Sequence, residues 1–369
     1  MDQLNPRQLT VLATMYYIGS AILVIPAYLA DKAGNDAWIS GLLGLMIGFL
    51  PLILIYALEK TYPGKHLGEI LEAALGKILG KVMGFAFFLT YPLGIITLSL
   101  RDIGDFLTTS LLRDTPLEVL ILFTLVVISI AVRLGIGTIS RTAELFFPWV
   151  LLLIILLIVF VSPKADIENI QPVLASGWQP VMLASLTLAG FPFLEHNLFM
   201  MIFAKVKGSA SLALQLAKGS LVSGLLIVLV IFMCLLVLNP GQTAAYVFPT
   251  YELGKMIEFG QFVRRIEVIV AFIWFFTIFF RVSFLLYTMV TGLSYLLKLH
   301  DYRVITFPVA VISGALSLLW YPNITELNNF SRIWTYISFL WGFGLPLLLL
   351  VGSAVQKMFR GPKSPREPA

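Results

Sequence analysis

Residues 184–200 of this chain read ASLTLAGFPFLEHNLFM, and this stretch decides the fold. It lies within a long apolar run, where no water is available to satisfy an unpaired backbone group. Gly190 and Pro192 interrupt it, and Pro192 lacks the N–H that a helix needs, so the sequence predicts a break here. A broken helix at membrane depth is tolerated only where it is buried in protein or lines a wet cavity. The stretch therefore predicts a transporter-like site, with a simple proline kink as the alternative.

The composition of the chain is that of a polytopic membrane protein. Of its 369 residues, 59% are hydrophobic and 12% are charged, whereas about a quarter of the residues in soluble domains are charged. The net charge of +5 comes from basic residues spread over the connections, so nucleic acid is not an expected partner. The one cysteine, Cys234, excludes an intramolecular disulfide and a cysteine-based metal site.

The apolar segments predict an all-α integral membrane protein with ten transmembrane helices. Most of these segments are long enough to cross ~30 Å of hydrocarbon. With the N-terminus placed in the cytoplasm, the inside connections hold more than twice as many lysine and arginine residues as the outside ones, which predicts that both termini are cytoplasmic. The predicted spans are 9–29, 37–58, 82–106, 117–135, 142–162, 180–204, 212–238, 263–297, 303–320 and 331–356.

The first span carries an interruption of its own, GSAILVIP at residues 19–26. Its small residues allow another backbone or a ligand to approach, and free amides there could bind an anion; the alternative is ordinary small-residue packing between helices. Broken helices one and six lie five spans apart, which indicates a five-plus-five inverted repeat with the binding site between them. The chain is therefore predicted to be one membrane domain, residues 1–369, with repeats at 1–162 and 180–356 and a disordered tail at 357–369.

Charged side chains inside the spans mark the candidate site. Glu195 follows the break in span six, and Arg281 lies about midway along span eight. Because arginine keeps its proton, Arg281 needs an acceptor, and we expect it to face Glu195 or the free carbonyls of a broken helix. Arg101 and Asp105 are spaced i,i+4 in the outer half of span three. They predict either an ion pair at the outer rim or an outer gate over a central site.

A ligand held between the broken helices would meet backbone and hydroxyl groups from four spans. The alternative role of the hydroxyl groups is hydrogen bonding between helices, worth about 0.6 kcal/mol each. The candidate ligand-binding residues are Gly19, Ser20, Ala21, Ile22, Tyr91, Thr97, Ala189, Gly190, Phe191, Ser283 and Thr288. No metal or cofactor is expected. An enzyme is not expected either, because His66, His196 and His300 are far apart in sequence and no nucleophile motif is present.

Two connections also have helical character. Residues 66–81, HLGEILEAALGKILGK, place apolar side chains at helical spacing and predict an amphipathic helix lying on the cytoplasmic face of the membrane. Residues 243–260, TAAYVFPTYELGKMIEFG, predict a re-entrant or surface helix after Pro249 that covers the outer side.

These features resemble the spore germination permease family, the B-subunit type of germinant receptor, within the amino acid–polyamine–organocation superfamily. The resemblance rests on GSAILVIP in span one, on GFPFLEHNLFMMIFAKVK at residues 190–207 with an acidic residue just after the break, and on the compact length without large loops. The chain departs from related transporters at Ala21, where those often carry a third small residue, glycine. This departure restricts the approach of a ligand carboxylate.

The resemblance implies a LeuT-like fold and a subunit of a nutrient-sensing complex in the inner membrane of a bacterial endospore. Its expected partners are a larger multi-spanning A subunit and a lipoprotein C subunit, and its expected ligand is a small nutrient, an amino acid above all. In sodium-driven transporters of this architecture a metal ion bridges spans one and eight, a place that the charge of Arg281 would fill.

Two alternatives to the sensor stay open. One is a proton-coupled amino acid symporter with Glu195 as the proton carrier, a role that a fixed Arg281 in contact with Glu195 would oppose. The other is a structural subunit whose pocket is collapsed and filled by Phe191, Phe193 and Leu194.

Overall fold

A computed structural model describes residues 3–207, 211–257 and 267–360 of the chain. Within these ranges the fold is helical, and the one β contact is a parallel bridge between Leu4 and Val206. The helices are α1 (Pro6–Ile18), α2 (Ala21–Ala33), α3 (Ala37–Gly48), α4 (Leu50–Thr61), α5 (Leu67–Leu75), α6 (Lys77–Phe106), α7 (Leu117–Leu134), α8 (Ile136–Val161), α9 (Trp178–Gly190), α10 (Leu212–Ala245), α11 (Pro249–Lys255), α12 (Val268–Leu297), α13 (Arg303–Trp320), α14 (Ile324–Phe339) and α15 (Leu345–Arg360).

The described chain contains nine stretches that are long and apolar enough to span a membrane. One of them, Ala21–Thr61, runs from α2 through α4 and so joins half of predicted span one to all of span two. The other half of span one is α1, whose 13 residues are too few to cross alone. Large apolar side chains on α7, α8 and α13 are exposed, as lipid contact requires; Phe123, Trp149 and Val304 are examples.

Span one breaks between Ile18 and Ala21, where predicted. Gly19 is required at this break because a Cβ atom on it would lie 2.5 Å from Arg281 Cδ and 2.7 Å from the Tyr16 carbonyl oxygen. The absence of a side chain at Gly19 therefore lets span eight reach the backbone of span one.

Span six breaks after Gly190, again where predicted. The helix does not resume as an α-helix: the chain continues as a 3-10 helix over Phe193–Lys205. Two glycines of neighbouring spans allow this segment to pack closely, because a Cβ on Gly48 would collide with Phe193 and one on Gly342 would collide with the Leu194 carbonyl oxygen. Spans two and ten thus hold the broken segment in place.

The helix predicted to lie on the cytoplasmic face of the membrane differs from the prediction. It is α5, which ends at Leu75 because Gly76 adopts a φ of +84°. Its apolar face, including Leu67 and Leu71, is buried against α6 and α15 rather than lying on the membrane. Residues 77–81, assigned to the same helix in the prediction, instead begin span three, where Ile78 is 83% exposed.

Three other predictions concern the second half of the chain. The helix predicted after Pro249 is α11, which packs on α2, α10 and α12. The start of predicted span eight, residues 263–266, and the tail after residue 360 lie outside the described residues. Residues 357–360 belong to α15, so the predicted tail begins too early.

Candidate functional site

Glu195 and Arg281 form a buried ion pair where the two broken spans meet span eight. Arg281 Nη2 lies 2.8 Å from Glu195 Oε1, and both side chains are 0% exposed. Tyr16 Oη donates to Glu195 Oε2 at 2.5 Å, and Arg281 Nη1 donates to the Tyr16 carbonyl oxygen at 3.3 Å. The predicted contact is therefore present, and it joins spans one, six and eight through these three residues.

The Arg281 guanidinium group also lies between two aromatic rings. Its Cζ atom is 4.7 Å from the centre of the Tyr16 ring and 4.6 Å from that of Phe191. A cation over aromatic faces is stabilised by about 2 kcal/mol when water is excluded. Arg281 therefore fills the space between the breaks at Gly19 and Gly190, where the sequence predicted a ligand.

The remaining predicted pocket residues are buried. Ser20, Ala21, Ile22, Tyr91, Thr97, Ala189, Ser283 and Thr288 are all 0–1% exposed. The hydroxyl groups of Tyr91, Ser283 and Thr288 have no hydrogen-bond partner in the described part of the chain. The exception to this packing is Phe191, which lines a cavity. The ligand-binding role of this set stays a prediction.

The cavity has a volume of about 290 Å³ and lies on the side of the ion pair that is formed by the C-terminal ends of α2 and α6. We call it the outer cavity. Its mouth includes the exposed residues Asp31, Lys32 and Val247, and Trp334 of span ten contributes to its wall. Phe191 contacts both the outer cavity and Arg281, so its ring lies where the cavity meets the ion pair.

The predicted Arg101–Asp105 pair is formed on the wall of the outer cavity. Arg101 Nε donates to both carboxylate oxygens of Asp105, at 3.0 and 2.9 Å, and the two residues are 7% and 6% exposed. Asp105 lines the cavity. The pair therefore faces protein and cavity rather than headgroups, and its function as an outer gate stays a prediction.

Three polar residues of the site are not among the candidate residues predicted from the sequence. Tyr16 is the second donor to Glu195, and no pattern distinguishes it from its neighbour Tyr17. His196 is held between Tyr17 Oη, 2.6 Å from Nδ1, and the Gly48 carbonyl oxygen, 2.9 Å from Nε2. Asp102 lines the outer cavity. Residues 98, 102 and 105 share one face of α6 at i, i+4 and i+7, but the rotation of α6 decides that this face lines the cavity.

The side of the ion pair opposite the outer cavity, which we call the inner side, is closed by contacts between the start of the chain, the end of the 3-10 segment and α12. Lys205 Nζ donates to Tyr287 Oη at 2.6 Å. The backbone of Leu4 pairs with that of Lys205 and Lys207, at 2.9 and 2.8 Å. These contacts join the end of the 3-10 segment to α12 and to the start of the chain, so the described structure is open toward the outer cavity and closed below it.

Comparison with known proteins gives both a family and a fold. The sequence profile described as Spore germination protein matches residues 3–325. The chain is 32% identical to spore germination protein KB of Bacillus subtilis (strain 168), over 100% of this chain and 98% of that protein. It is 26% identical to putative spore germination protein YfkT of the same organism, over 95% and 96% of the two chains.

Two solved membrane transporters share the architecture. MhsT in complex with L-phenylalanine superposes with a TM-score of 0.67 and 16% identity, covering 96% of this chain and 89% of MhsT. A Na⁺-coupled sialic acid symporter gives a TM-score of 0.67 and 14% identity, covering 95% of this chain and 78% of that one. These likenesses confirm the predicted fold class, an all-α, LeuT-like integral membrane protein.

Proposed function

Because the chain belongs to the spore germination protein family, we propose that it is the permease-like subunit of a germinant receptor and binds a small nutrient, most simply an amino acid. The observation that carries this proposal is the outer cavity, which ends at the junction of the two broken spans while the inner side is closed. A cavity of this kind can bind a small molecule without passing it through the membrane.

The ion pair is the element that would convert binding into a signal. A ligand acts as a signal only if it binds one conformation better than another. Phe191 contacts both the cavity and Arg281, so a ligand that displaces its ring would change the surroundings of the Glu195–Arg281 pair. The broken spans would then move against the other helices and open the backbone and hydroxyl groups of the predicted midplane pocket.

The contacts of Glu195 favour this sensor over a proton-coupled symporter. A proton carrier has to exchange its proton with water, whereas Glu195 is 0% exposed and bound by Arg281 and Tyr16. A structural subunit without ligand agrees with the burial of Phe193 and Leu194 beneath the cavity, at 0% and 1% exposure. The outer cavity beside Phe191, in contrast, favours a subunit that binds a ligand.

The family membership also supports the proposed setting. As a germinant receptor subunit, the protein would lie in the inner membrane of the spore with both termini in the cytoplasm. It would assemble there with a multi-spanning A subunit and a lipoprotein C subunit.

Germination of spores tests the function. Spores whose other germinant receptors are deleted should respond to one class of nutrient when they carry this chain with its A and C subunits, and should not respond when this chain alone is removed. Glu195→Gln should weaken that response, and Asp301→Asn, a change at the surface, should not. An unchanged response after removal of the chain would overturn the proposal.

A further inference from the structure

Asp102 is a carboxylate on the wall of the outer cavity that no function described above uses. It lies on α6 beside Leu98 and Asp105, which line the same cavity. Among the described residues, no basic side chain forms an ion pair with Asp102, whereas Asp105 is bound by Arg101. A carboxylate beside an apolar cavity in a membrane protein is costly unless a partner arrives.

The charges around the outer cavity leave a place for a cation. Its described lining holds the carboxylates of Asp31, Asp102 and Asp105 and the ammonium group of Lys32. Lys32 Nζ donates to Thr187 Oγ1 at 2.8 Å, and Arg101 neutralises Asp105 from behind the wall. Because Asp31 and Lys32 at the exposed mouth cancel in charge, Asp102 carries the one negative charge that remains in excess among these groups.

The rest of the lining suits an organic cation rather than a metal ion. Tyr28, Phe191, Tyr246, Phe248 and Trp334 bring aromatic rings to the cavity. Aromatic faces attract organic cations, whereas a hard metal ion requires several oxygen ligands. No group of three or more potential metal-ligating side chains occurs in the described residues.

The surroundings of the start of α2 are unsuited to binding a ligand by its carboxylate. Asp102 lies beside Ser20, the residue that precedes α2. A ligand carboxylate at this helix end would meet the negative charge of Asp102 at short range. The neighbouring backbone at Gly19 is covered by the side chain of Arg281. The backbone at Gly19 is therefore covered by Arg281, and the start of α2 faces the negative charge of Asp102, so neither is suited to bind a ligand carboxylate.

We propose that the outer cavity is a recognition site for ligands that carry a protonated amine, with Asp102 binding the ammonium group and the aromatic lining covering the apolar part. The inference rests on the proposed function, and deepens it: the nutrient would be selected by its amino group, and amines without a carboxylate would also bind.

Isothermal titration calorimetry on the full-length purified protein at neutral pH tests this site. The probes are isopentylamine, which is leucine without its carboxylate, 4-methylpentanoate, which is leucine without its amino group, and L-leucine itself. Asp102→Asn removes the charge with little change of shape. Asp31→Asn is the matched control, because it removes the same charge at the exposed mouth of the cavity. Thermal unfolding of each variant checks that it is folded.

We expect saturable binding of isopentylamine and none of 4-methylpentanoate. Asp102→Asn should weaken amine binding by about tenfold or more, the loss of one hydrogen-bonded charge contact. Asp31→Asn should weaken it by less than about threefold, because exposed charges are screened. Three results would overturn the inference: no saturable amine binding to folded protein, equal affinity in Asp102→Asn, or equal losses in the two variants.

The same titrations separate this inference from the proposed function. If amino acids bind wild type and Asp102→Asn equally well, the protein remains a nutrient sensor and the Asp102 site is wrong. If isopentylamine binding depends on Asp102 while no amino acid binds, the amine site stands and the proposed nutrient class fails.

Discussion

Arg281 and Glu195 form an ion pair with no solvent exposure, and Tyr16 completes it by donating to the second oxygen of Glu195. A permanently charged guanidinium group at membrane depth is costly unless its charge and its N–H groups are satisfied. Here Glu195 of span six supplies the counter-charge, and Nη1 donates to the backbone of span one, while Nε has no hydrogen-bond partner among the described residues. One charged group thus ties the two broken spans, which would have to move for a ligand to act, to span eight.

Breaking this pair should destabilise the protein strongly. Glu195→Gln leaves Arg281 buried without its counter-charge, which costs about 3–5 kcal/mol in buried pairs of soluble proteins. We expect a large fall in the thermal unfolding midpoint of the purified protein. Adding Arg281→Met to Glu195→Gln should recover part of the loss, because the unpaired charge is then gone.

The control for this change is a pair at the surface. Asp301 lies 4.0 Å from Arg303, and both side chains are about half exposed, so Asp301→Asn should change stability by less than about 1 kcal/mol. Equal midpoints for Glu195→Gln and Asp301→Asn would show that the buried pair does not hold the spans together.

Two glycines two residues apart in span ten should differ in their response to substitution by alanine. A Cβ on Gly342 would collide with the Leu194 carbonyl oxygen in the broken segment, whereas a Cβ on Gly344 has its nearest neighbour at 3.9 Å. Gly342→Ala should therefore destabilise the protein by about 1–3 kcal/mol, as overpacking does, and Gly344→Ala should be close to neutral. Thermal unfolding of both variants measures this, and equal effects would contradict the packing of span ten against span six.

The stability of α5 should depend on pH through His66. Its Nδ1 accepts a hydrogen bond from the Gly68 N–H at 3.1 Å, and burial lowers the pKa of His66 below its usual 6.5, although Glu69 opposes the shift. Because the folded-state pKa lies below that of the unfolded chain, the stabilisation is complete above pH 6.5 and is lost as the pH falls below that value. The protection factors of the α5 amides, which correct for the pH dependence of intrinsic exchange, should therefore fall on acidification.

His66→Asn is the matched variant for this prediction. Asparagine is a good N-cap acceptor and does not titrate in this range, so the fall in protection should be smaller than in wild type. An identical pH dependence of protection in both proteins would show that a group other than His66 causes it.

Ligand binding should not require sodium. Arg281 lies against the break in span one, with Nη1 3.3 Å from the Tyr16 carbonyl oxygen and its side chain packed on Gly19. Its fixed charge thus occupies the space between spans one and eight, and a second cation there would be repelled. Affinities measured in sodium chloride and in N-methyl-D-glucamine chloride at equal ionic strength should agree. A loss of binding without sodium would contradict this role of Arg281.

The sequence predicts those parts of the site that membrane physics constrains strongly. Pro192 cannot continue a regular helix without cost, and the small residues at Gly19 and Ser20 allow another backbone to approach, so both breaks were identified. A buried arginine needs an acceptor at the same depth, which limited the predicted partners of Arg281 to Glu195 and the free carbonyls of a broken helix. Arg281 contacts Glu195 and the Tyr16 carbonyl oxygen.

What could not be predicted depends on how helices rotate and pack. Whether Asp102 or Arg101 faces the cavity is fixed by the rotation of α6, which its contacts with α7, α12 and α13 determine. The burial of α5 depends on α15, which lies far away in the chain. The positions of Phe191 and Arg281 inside the predicted pocket reflect a closed arrangement of the broken spans, and no local pattern encodes which arrangement is adopted.

The most direct test of the central claim is equilibrium binding of a panel of radiolabelled amino acids and other small nutrients to the purified full-length protein. Gly19→Leu is the site variant, because a side chain there would collide with Arg281, and Gly344→Ala is the control. We predict saturable binding of at least one amino acid that Gly19→Leu abolishes and Gly344→Ala retains. The absence of saturable binding across the panel, in protein shown to be folded, would contradict the claim that this chain itself is the nutrient-binding subunit.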